Sequence, residues 1–358
     1  APVSRHARRR CRNGAGLMRV LSVIESLLHG GAETVLVDLV RGLTACEHDV
    51  AHFTGSYGAE AAPWILAALA DAGATCRDLP RAALRDRDGR APRLGADPDV
   101  VVHHWWGSSS FDPWPHPDRR PAFVLVVHTS RAQAPAGYDA YVLVSETQRS
   151  QVQAVDPARV VVIPNGVDVA RFATTTSARR KGFTVGRLSN LRHEKIGADC
   201  VRMLAALDLS DTTFVIAGDG PLRAGLIDDA RALGVEPSVL FPGYVERDNV
   251  PALLGSFDVF CYTVSTAVEC HPLALLEACA AGLPIVAEAR GGVPDIVQDG
   301  VNGYLLRDRD ELAPVLRRLR DDRALRDRMG AASRAIAARF GIERQAAAYA
   351  ALFQRVVS

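Results

Sequence analysis

The sequence predicts an α/β protein built from two doubly wound parallel-sheet domains. Three observations carry this. Short, wholly apolar runs such as Ala122 to His128 (A-F-V-L-V-V-H) recur along the chain, and continuous apolar runs of this length are what strands buried on both faces of a parallel sheet require. Segments of helical period alternate with them, as in βαβ units. A polar, period-free stretch at Thr174 to Gly182 separates two such series, and 358 residues is the length of two cores rather than one.

Composition bounds the function classes. The chain is 48% hydrophobic and 23% charged with net charge +1, so no whole-protein field for nucleic acid is present. No apolar stretch approaches 18 residues, which predicts no membrane span and at most peripheral membrane contact. Seven cysteines form no CxxC pair and no Cys/His cluster of zinc spacing. An odd count in a chain of this length reads as reduced thiols in a cytoplasmic protein. Residues 1–17 are basic and aperiodic, and read as a disordered extension upstream of a start at Met18.

In the first half, Met18 to Glu25 reads as a buried strand, followed by a Gly30-Gly31 turn and a helix with Gly42 near its end. This is how a doubly wound sheet begins, although G-x-G-x-x-G is absent. Strands follow at His48 to Phe53 and Gly73 to Leu79, with a helix at Ala61 to Ala72 between them. Asp97 to Trp106 (D-P-D-V-V-V-H-H-W-W) is a turn feeding a strand, and side chains at the carboxyl ends of parallel strands line the ligand crevice. His103 and His104 alternate faces, so one at most points there. Trp105 and Trp106 open a Trp- and Pro-rich loop that suggests a compact ring-bearing ligand stacked on an aromatic face. Further strands are expected at Ala122 to His128, Tyr141 to Val144 and Val160 to Ile163, the last followed by the turn Pro164 to Asp168.

In the second half, Phe183 to Leu188 opens a sheet, Thr213 to Ala217 leads to A-G-D-G-P, and Val239 to Val245 reads V-L-F-P-G-Y-V. Val268 to Gly282 (V-E-C-H-P-L-A-L-L-E-A-C-A-A-G) organises the rest. Pro272 fits the first turn of a helix and Gly282 the position just past its end. Glu269 therefore lies at or before the helix start and Glu277 within it. Eight helical residues rise about 12 Å, far more than the roughly 5 Å between the carboxyl groups of a retaining glycosidase. The spacing suits two ends of a long polar ligand, with a diphosphate at the helix N-terminus. No Asp-x-Asp metal motif follows a strand in the right place.

These segments, in this order over roughly residues 18 to 345, resemble the retaining glycosyltransferases of the GT-B fold, family 4 (glycosyl transferases group 1). The resemblance rests on Gly30-Gly31-Ala32-Glu33, His128, Pro164 to Asp168, Arg187 with Lys195, Phe241-Pro242-Gly243-Tyr244-Val245, and Glu269 with Glu277. It implies two Rossmann-like domains facing a cleft: an acceptor-side domain over 18–176, joined by a C-terminal helix at 341–358 that packs back on it, and a nucleotide-sugar domain over 177–340. The reaction it implies moves a hexose-type sugar from a nucleoside diphosphate sugar to a hydroxyl of a small-molecule or saccharide acceptor, with retention and without a metal or other cofactor.

The resemblance also assigns roles. His128, Arg187, Lys195 and Glu269 are the candidate catalytic residues, with Arg187 and Lys195 neutralising the leaving diphosphate. The run to Lys195 is longer than the family's, so Arg192 competes for the second cation. Gly30, Gly31, Gly218, Phe241, Gly243, Val245, His271, Pro272, Leu273 and Glu277 complete the donor site. His104, Trp105 and Trp106 are the acceptor-side candidates. Cys270 and His271 stand where the family has glycine and an aromatic residue, which puts the shape of the sugar pocket in question. The expected state is a monomer or homodimer. The alternatives are a cell-envelope lipid or polysaccharide glycosyltransferase, a non-catalytic sugar-nucleotide-binding subunit, and a sugar-nucleotide epimerase.

Overall fold

A computed structural model describes residues 17–24, 31–46, 48–56, 63–80, 98–105, 121–130, 133–152, 156–173, 182–197, 199–207, 211–263 and 269–358. The chain forms two compact units, one of residues 1–166 with 340–358, the other of residues 167–339. The sequence put the first change of domain at 176, in the aperiodic stretch. In the structure it follows Gly166, because the Pro164 to Gly166 turn packs on the C-terminal helix. A Cβ on Gly166 would stand 3.1 Å from the Cα of Ile342.

Among the described residues the first unit holds seven strands: β1 (Arg19–Ile24), β2 (Asp49–Ser56), β3 (Thr75–Pro80), β4 (Val100–Trp105), β5 (Ala122–Val127), β6 (Ala140–Leu143) and β7 (Val160–Val162). Their spatial order is β3-β2-β1-β4-β5-β6-β7, and every pairing is parallel. All six residues of β4 and of β5 are buried, which is why β5 and the first half of β4 read as unbroken apolar runs rather than alternating ones. Helices α1 (Gly31–Ala45) and α2 (Pro63–Asp71) fill the first crossovers. Gly42 lies inside α1, where α10 (Ile342–Val357) crosses it. A Cβ there would approach that of Ala346 to 2.7 Å, so the missing side chain sets how closely the two helices pack. Cys46, at the end of α1, is disulfide-bonded, which corrects the expectation of uniformly reduced thiols. Cys200, Cys261, Cys270 and Cys279 are buried free thiols.

The second unit repeats the plan with β8 (Phe183–Leu188), α3 (Cys200–Ala205), β9 (Thr212–Ala217), α4 (Arg223–Ala232), β10 (Val239–Gly243), α5 (Val250–Gly255), β11 (Val259–Tyr262), α6 (Leu273–Ala281), β12 (Ile285–Glu288), α7 (Val293–Ile296) and β13 (Gly303–Leu306). Helices α8 (Leu312–Asp321) and α9 (Arg323–Ala337) follow. The six strands are parallel in the order β10-β9-β8-β11-β12-β13. The order reverses between β8 and β11, and a doubly wound sheet binds its ligand outside the strand ends at such a reversal. The core beneath joins Val185, Phe214, Ile216, Val259 and Val286 to Leu312, Leu316 and Leu319 of α8.

Candidate functional site

The reversal point of the second sheet carries a cluster of charged side chains. Arg187 is the fifth residue of β8 and is 4% exposed. Its guanidinium uses all three nitrogens: Nε donates to Ser189 Oγ at 3.2 Å, Nη1 to the Thr263 carbonyl, and Nη2 to the Lys195 carbonyl. Its carbon stands 5.2 Å from the centre of the Tyr262 ring, a cation–π distance. Lys195 lies in a turn closed by hydrogen bonds from Lys195 N and Ile196 N to the Arg192 carbonyl. That turn sends Lys195 Nζ onto Glu269 Oε1, whereas Arg192 is exposed. The two cations are therefore coupled: the guanidinium of one holds the backbone of the other.

Glu269 precedes α6 by four residues. Its carbonyl accepts from Gly292 N at 2.8 Å, which ties it to the Gly291-Gly292 turn after β12. Pro272 was expected in the first helical turn. It is the N-cap instead, with Leu273 the first helical residue. Gly282 is the left-handed C-cap, at φ 78° and ψ 36°. Glu277 sits inside α6 among Leu275, Leu276, Ala278 and Cys279 and is 8% exposed. His271 is 4% exposed, and burial lowers its pKa to about 3. It is a neutral, enclosed ring rather than an open wall of a pocket.

The loop after β8 is fastened to the loop after β9. Ser189 N donates to the Ala217 carbonyl, Leu191 N to that of Asp219, and Leu222 N to that of Leu191. Gly218 makes this possible: at φ +125°, a Cβ would lie 1.9 Å from the Ser189 carbonyl oxygen. Gly218 N also donates to the Gly243 carbonyl, joining this loop to the end of β10, where Gly243 takes φ +80°. Phe241 and Val245 flank it, partly exposed.

The first unit holds a separate group at the carboxyl ends of β4 and β5. His104 Nδ1 lies 3.0 Å from His128 Nε2, and the two rings stack with centres 5.3 Å apart. His103 Nδ1 lies 2.7 Å from the Tyr138 hydroxyl. Gln148, wholly buried, donates to the Val127 and Thr129 carbonyls at 3.1 and 3.0 Å and so fixes the backbone on both sides of His128. Two acceptor-side expectations change. His104 is 1% exposed, packed on His128 rather than presented to solvent, and Trp105 is 3% exposed, within a core of Leu21, Val101, Phe123 and Tyr138. A residue that ends a central strand still lies over the sheet, so Trp105 packs inward. Gly31 begins α1, whereas Gly30 and Trp106 lie outside the described residues.

Burial lowers the pKa of His103 to about 4, and burial with the nearby His103 charge does the same for His128. The unfolded chain binds protons at these rings below about pH 6.5, whereas the folded chain holds them neutral until about pH 4. Stability from this source is full above pH 6.5 and is lost as pH falls toward 4. The unfolding midpoint is expected to drop between pH 6.5 and 5, above the range of ordinary carboxylates. His103→Gln is expected to flatten that slope. Thermal melts at half-unit pH steps check it, and a midpoint independent of pH across this window would contradict it.

Tyr262, Ser189 and Gln148 were not singled out from sequence. The signal available for Tyr262 was weak: an aromatic at the last position of the strand before Glu269.

Two family descriptions match the chain in succession: "Glycosyltransferase Family 4" over residues 29–171 and "Glycosyl transferases group 1" over residues 175–336. The chain belongs to the glycosyltransferase group 1 family. Among its relatives, the UDP-Gal:alpha-D-GlcNAc-diphosphoundecaprenol alpha-1,3-galactosyltransferase of Escherichia coli is 31% identical over 188 residues, covering 48% of each protein. The D-inositol 3-phosphate glycosyltransferase of Salinispora arenicola is 34% identical over 217 residues, covering 53% of this chain and 48% of that protein. The chain spans about half the length of the relatives it matches. Among solved structures, Anabaena Alr3699/HepE in complex with UDP and glucose superposes with TM-score 0.76 at 20% identity, over 94% of this chain and 99% of that one. The fold is GT-B, with one doubly wound parallel sheet in each unit. No described helix of the chain is long and apolar enough to cross a membrane.

Proposed function

We propose that this family member transfers a hexose-type sugar, with retention of anomeric configuration, from a nucleoside diphosphate sugar to a hydroxyl of a small-molecule or saccharide acceptor. The observation that carries this reading is the Arg187–Lys195–Glu269 cluster at the strand-order reversal of the second sheet, beside the helix that bears Glu277. Arg187 and Lys195 are suited to the charge that develops on a departing diphosphate. Glu277, at the other end of the same segment, is suited to the ribose hydroxyls.

In the proposed step the anomeric carbon–oxygen bond to the diphosphate breaks. The acceptor oxygen forms its bond on the same face, and its proton passes to the departing phosphate oxygen. No metal is assigned a part. The E. coli relative's name specifies UDP-Gal and the Anabaena structure contains UDP, which makes uridine nucleotides the first donors to test.

The test is a panel of UDP-, GDP- and dTDP-sugars incubated with the protein in EDTA, following release of free nucleoside diphosphate. Release from one donor, lost in Glu277→Ala, is the expected result. No release and no thermal stabilisation by any donor would favour the non-catalytic alternative, and a product of inverted anomeric configuration would exclude the same-face step.

A further inference from the structure

β4 and β5 pair in parallel with His103 opposite Leu125, His104 opposite Val126 and Trp105 opposite Val127. Side chains two positions apart on a strand share a face, so His128 stands on the face of Val126 and His104. His103 and Trp105 take the other face, where Trp105 joins Leu125, Val127 and Tyr138 and His103 meets the Tyr138 hydroxyl. On their own face His104 and His128 are in contact. His104 Nδ1 lies 3.0 Å from His128 Nε2, with the ring planes 17° apart. His104 is buried, whereas His128 is partly exposed. His104 is therefore too enclosed to meet a ligand itself and acts through His128. The backbone of His128 is fixed as well. Its N–H donates to the Trp105 carbonyl at 2.9 Å, and Gln148 holds the carbonyls of Val127 and Thr129.

We propose that His104 is a positioning residue for His128: it donates from Nδ1 to His128 Nε2 and so holds His128 as the Nδ1–H tautomer, a donor toward an oxygen of the bound sugar. The proposal rests on the transferase reading above and deepens it. A neutral imidazole carries its proton on one nitrogen, and the partner of the other nitrogen decides which. The low pKa of His128 keeps its ring neutral at working pH, so its single proton has to take one place or the other. With His104 as donor, His128 accepts at Nε2 and keeps its own proton at Nδ1. The 3.0 Å bond thus sets both the orientation and the tautomer of a ring whose backbone is already held. Without His104 the backbone stays in place, but the ring can turn and carry its proton on either nitrogen.

Two substitutions separate this role from simple packing. His104→Leu fills the space and removes the donor. It should lower kcat for nucleotide release from the sugar nucleotide by about tenfold to a hundredfold, the span of a lost hydrogen bond to a group gaining charge, and leave UDP affinity within about twofold. His104→Asn returns an N–H near the place of Nδ1 and should restore kcat to within about threefold of wild type. In a His128→Ala background, His104→Leu should have no further effect. Long-range 1H–15N spectra of the ring nitrogens read the tautomer directly and need no donor. With the His128 signals identified by their loss in His128→Ala, the expected pattern is a protonated Nδ1 and a bare Nε2, giving way to a mixture in His104→Leu.

The probes are UDP with UDP-glucose and GDP with GDP-mannose, with unliganded thermal melts to establish folding. A purely structural His104 would lower the melting midpoint in His104→Leu and leave the tautomer of His128 and kcat unchanged. A wild-type His128 protonated at Nε2, a folded His104→Leu with wild-type release, or an effect that persists in His128→Ala overturns the proposal and leaves the transferase reading standing. If His104→Leu does not fold, the wild-type tautomer and the kcat of His104→Asn decide. Wild-type protein that binds neither pair overturns both readings.

Discussion

Replacing Arg187 by Ala is expected to lower nucleotide release by about a hundredfold to a thousandfold, the usual effect of removing one preorganised charge stabiliser. The same change should destabilise the second unit by about 3 kcal/mol. The reason lies in its contacts. Arg187 is nearly enclosed and supplies donors to the Ser189 hydroxyl and to the Thr263 and Lys195 carbonyls. Deleting it leaves these acceptors short of a partner, at about 1–3 kcal/mol for each that stays buried. For a unit of this size the midpoint should fall by about 6–12 °C.

Arg187→Lys keeps the charge but not the planar fork. An ammonium cannot serve three acceptors while stacking on Tyr262, so part of the stability should return without the activity. Thermal melts and the release assay read both effects. A wild-type midpoint in Arg187→Ala would show that the guanidinium is not the tie between these loops.

Gly218→Ala is expected to cost more than about 2 kcal/mol and to reduce release along with it. At φ +125° an L side chain is strained, and its Cβ would stand 1.9 Å from the Ser189 carbonyl oxygen. The obstacle is backbone, which cannot rotate aside as a side chain would. Ser189 is also the residue whose hydroxyl receives Arg187 Nε, so displacement of this loop reaches the cation directly. Gly225→Ala is the control, since that glycine lies within α4 and a Cβ there meets nothing within 4 Å. It should stabilise by about 0.5–1 kcal/mol through helix propensity. Equal midpoints for the two alanine variants would refute the close-approach argument.

Much of the architecture was legible because its causes are local. Strands buried on both faces favour apolar residues at successive positions, so β5 and the Val100 to Val102 run of β4 stood out without any periodicity. Gly282 was recognisable as a helix stop because a left-handed C-cap favours glycine whatever surrounds it. The alternation of such strands with helices, twice, was enough for two doubly wound sheets. Motif order then singled out Arg187, Lys195, Glu269 and Glu277, and the structure brings the first three into one hydrogen-bonded and ion-paired group.

Other features depended on contacts distant in sequence. Lys195 and Glu269 are 74 positions apart, and their pairing follows from the turn at 192–196, which no spacing rule distinguishes from one that would present Arg192. Trp105 and His104 looked like exposed ends of a strand, yet the depth of Trp105 is set by neighbours contributed by β1, β5 and the segment around Tyr138, and His104 packs on His128. The boundary at Gly166 depends on a helix that begins nearly 180 residues later. Tyr262 shows the division most clearly. Its strand was determined by the apolar run that contains it, but its part in the cluster arises only because the strand-order reversal sets β11 beside β8 and so places its ring beneath a guanidinium.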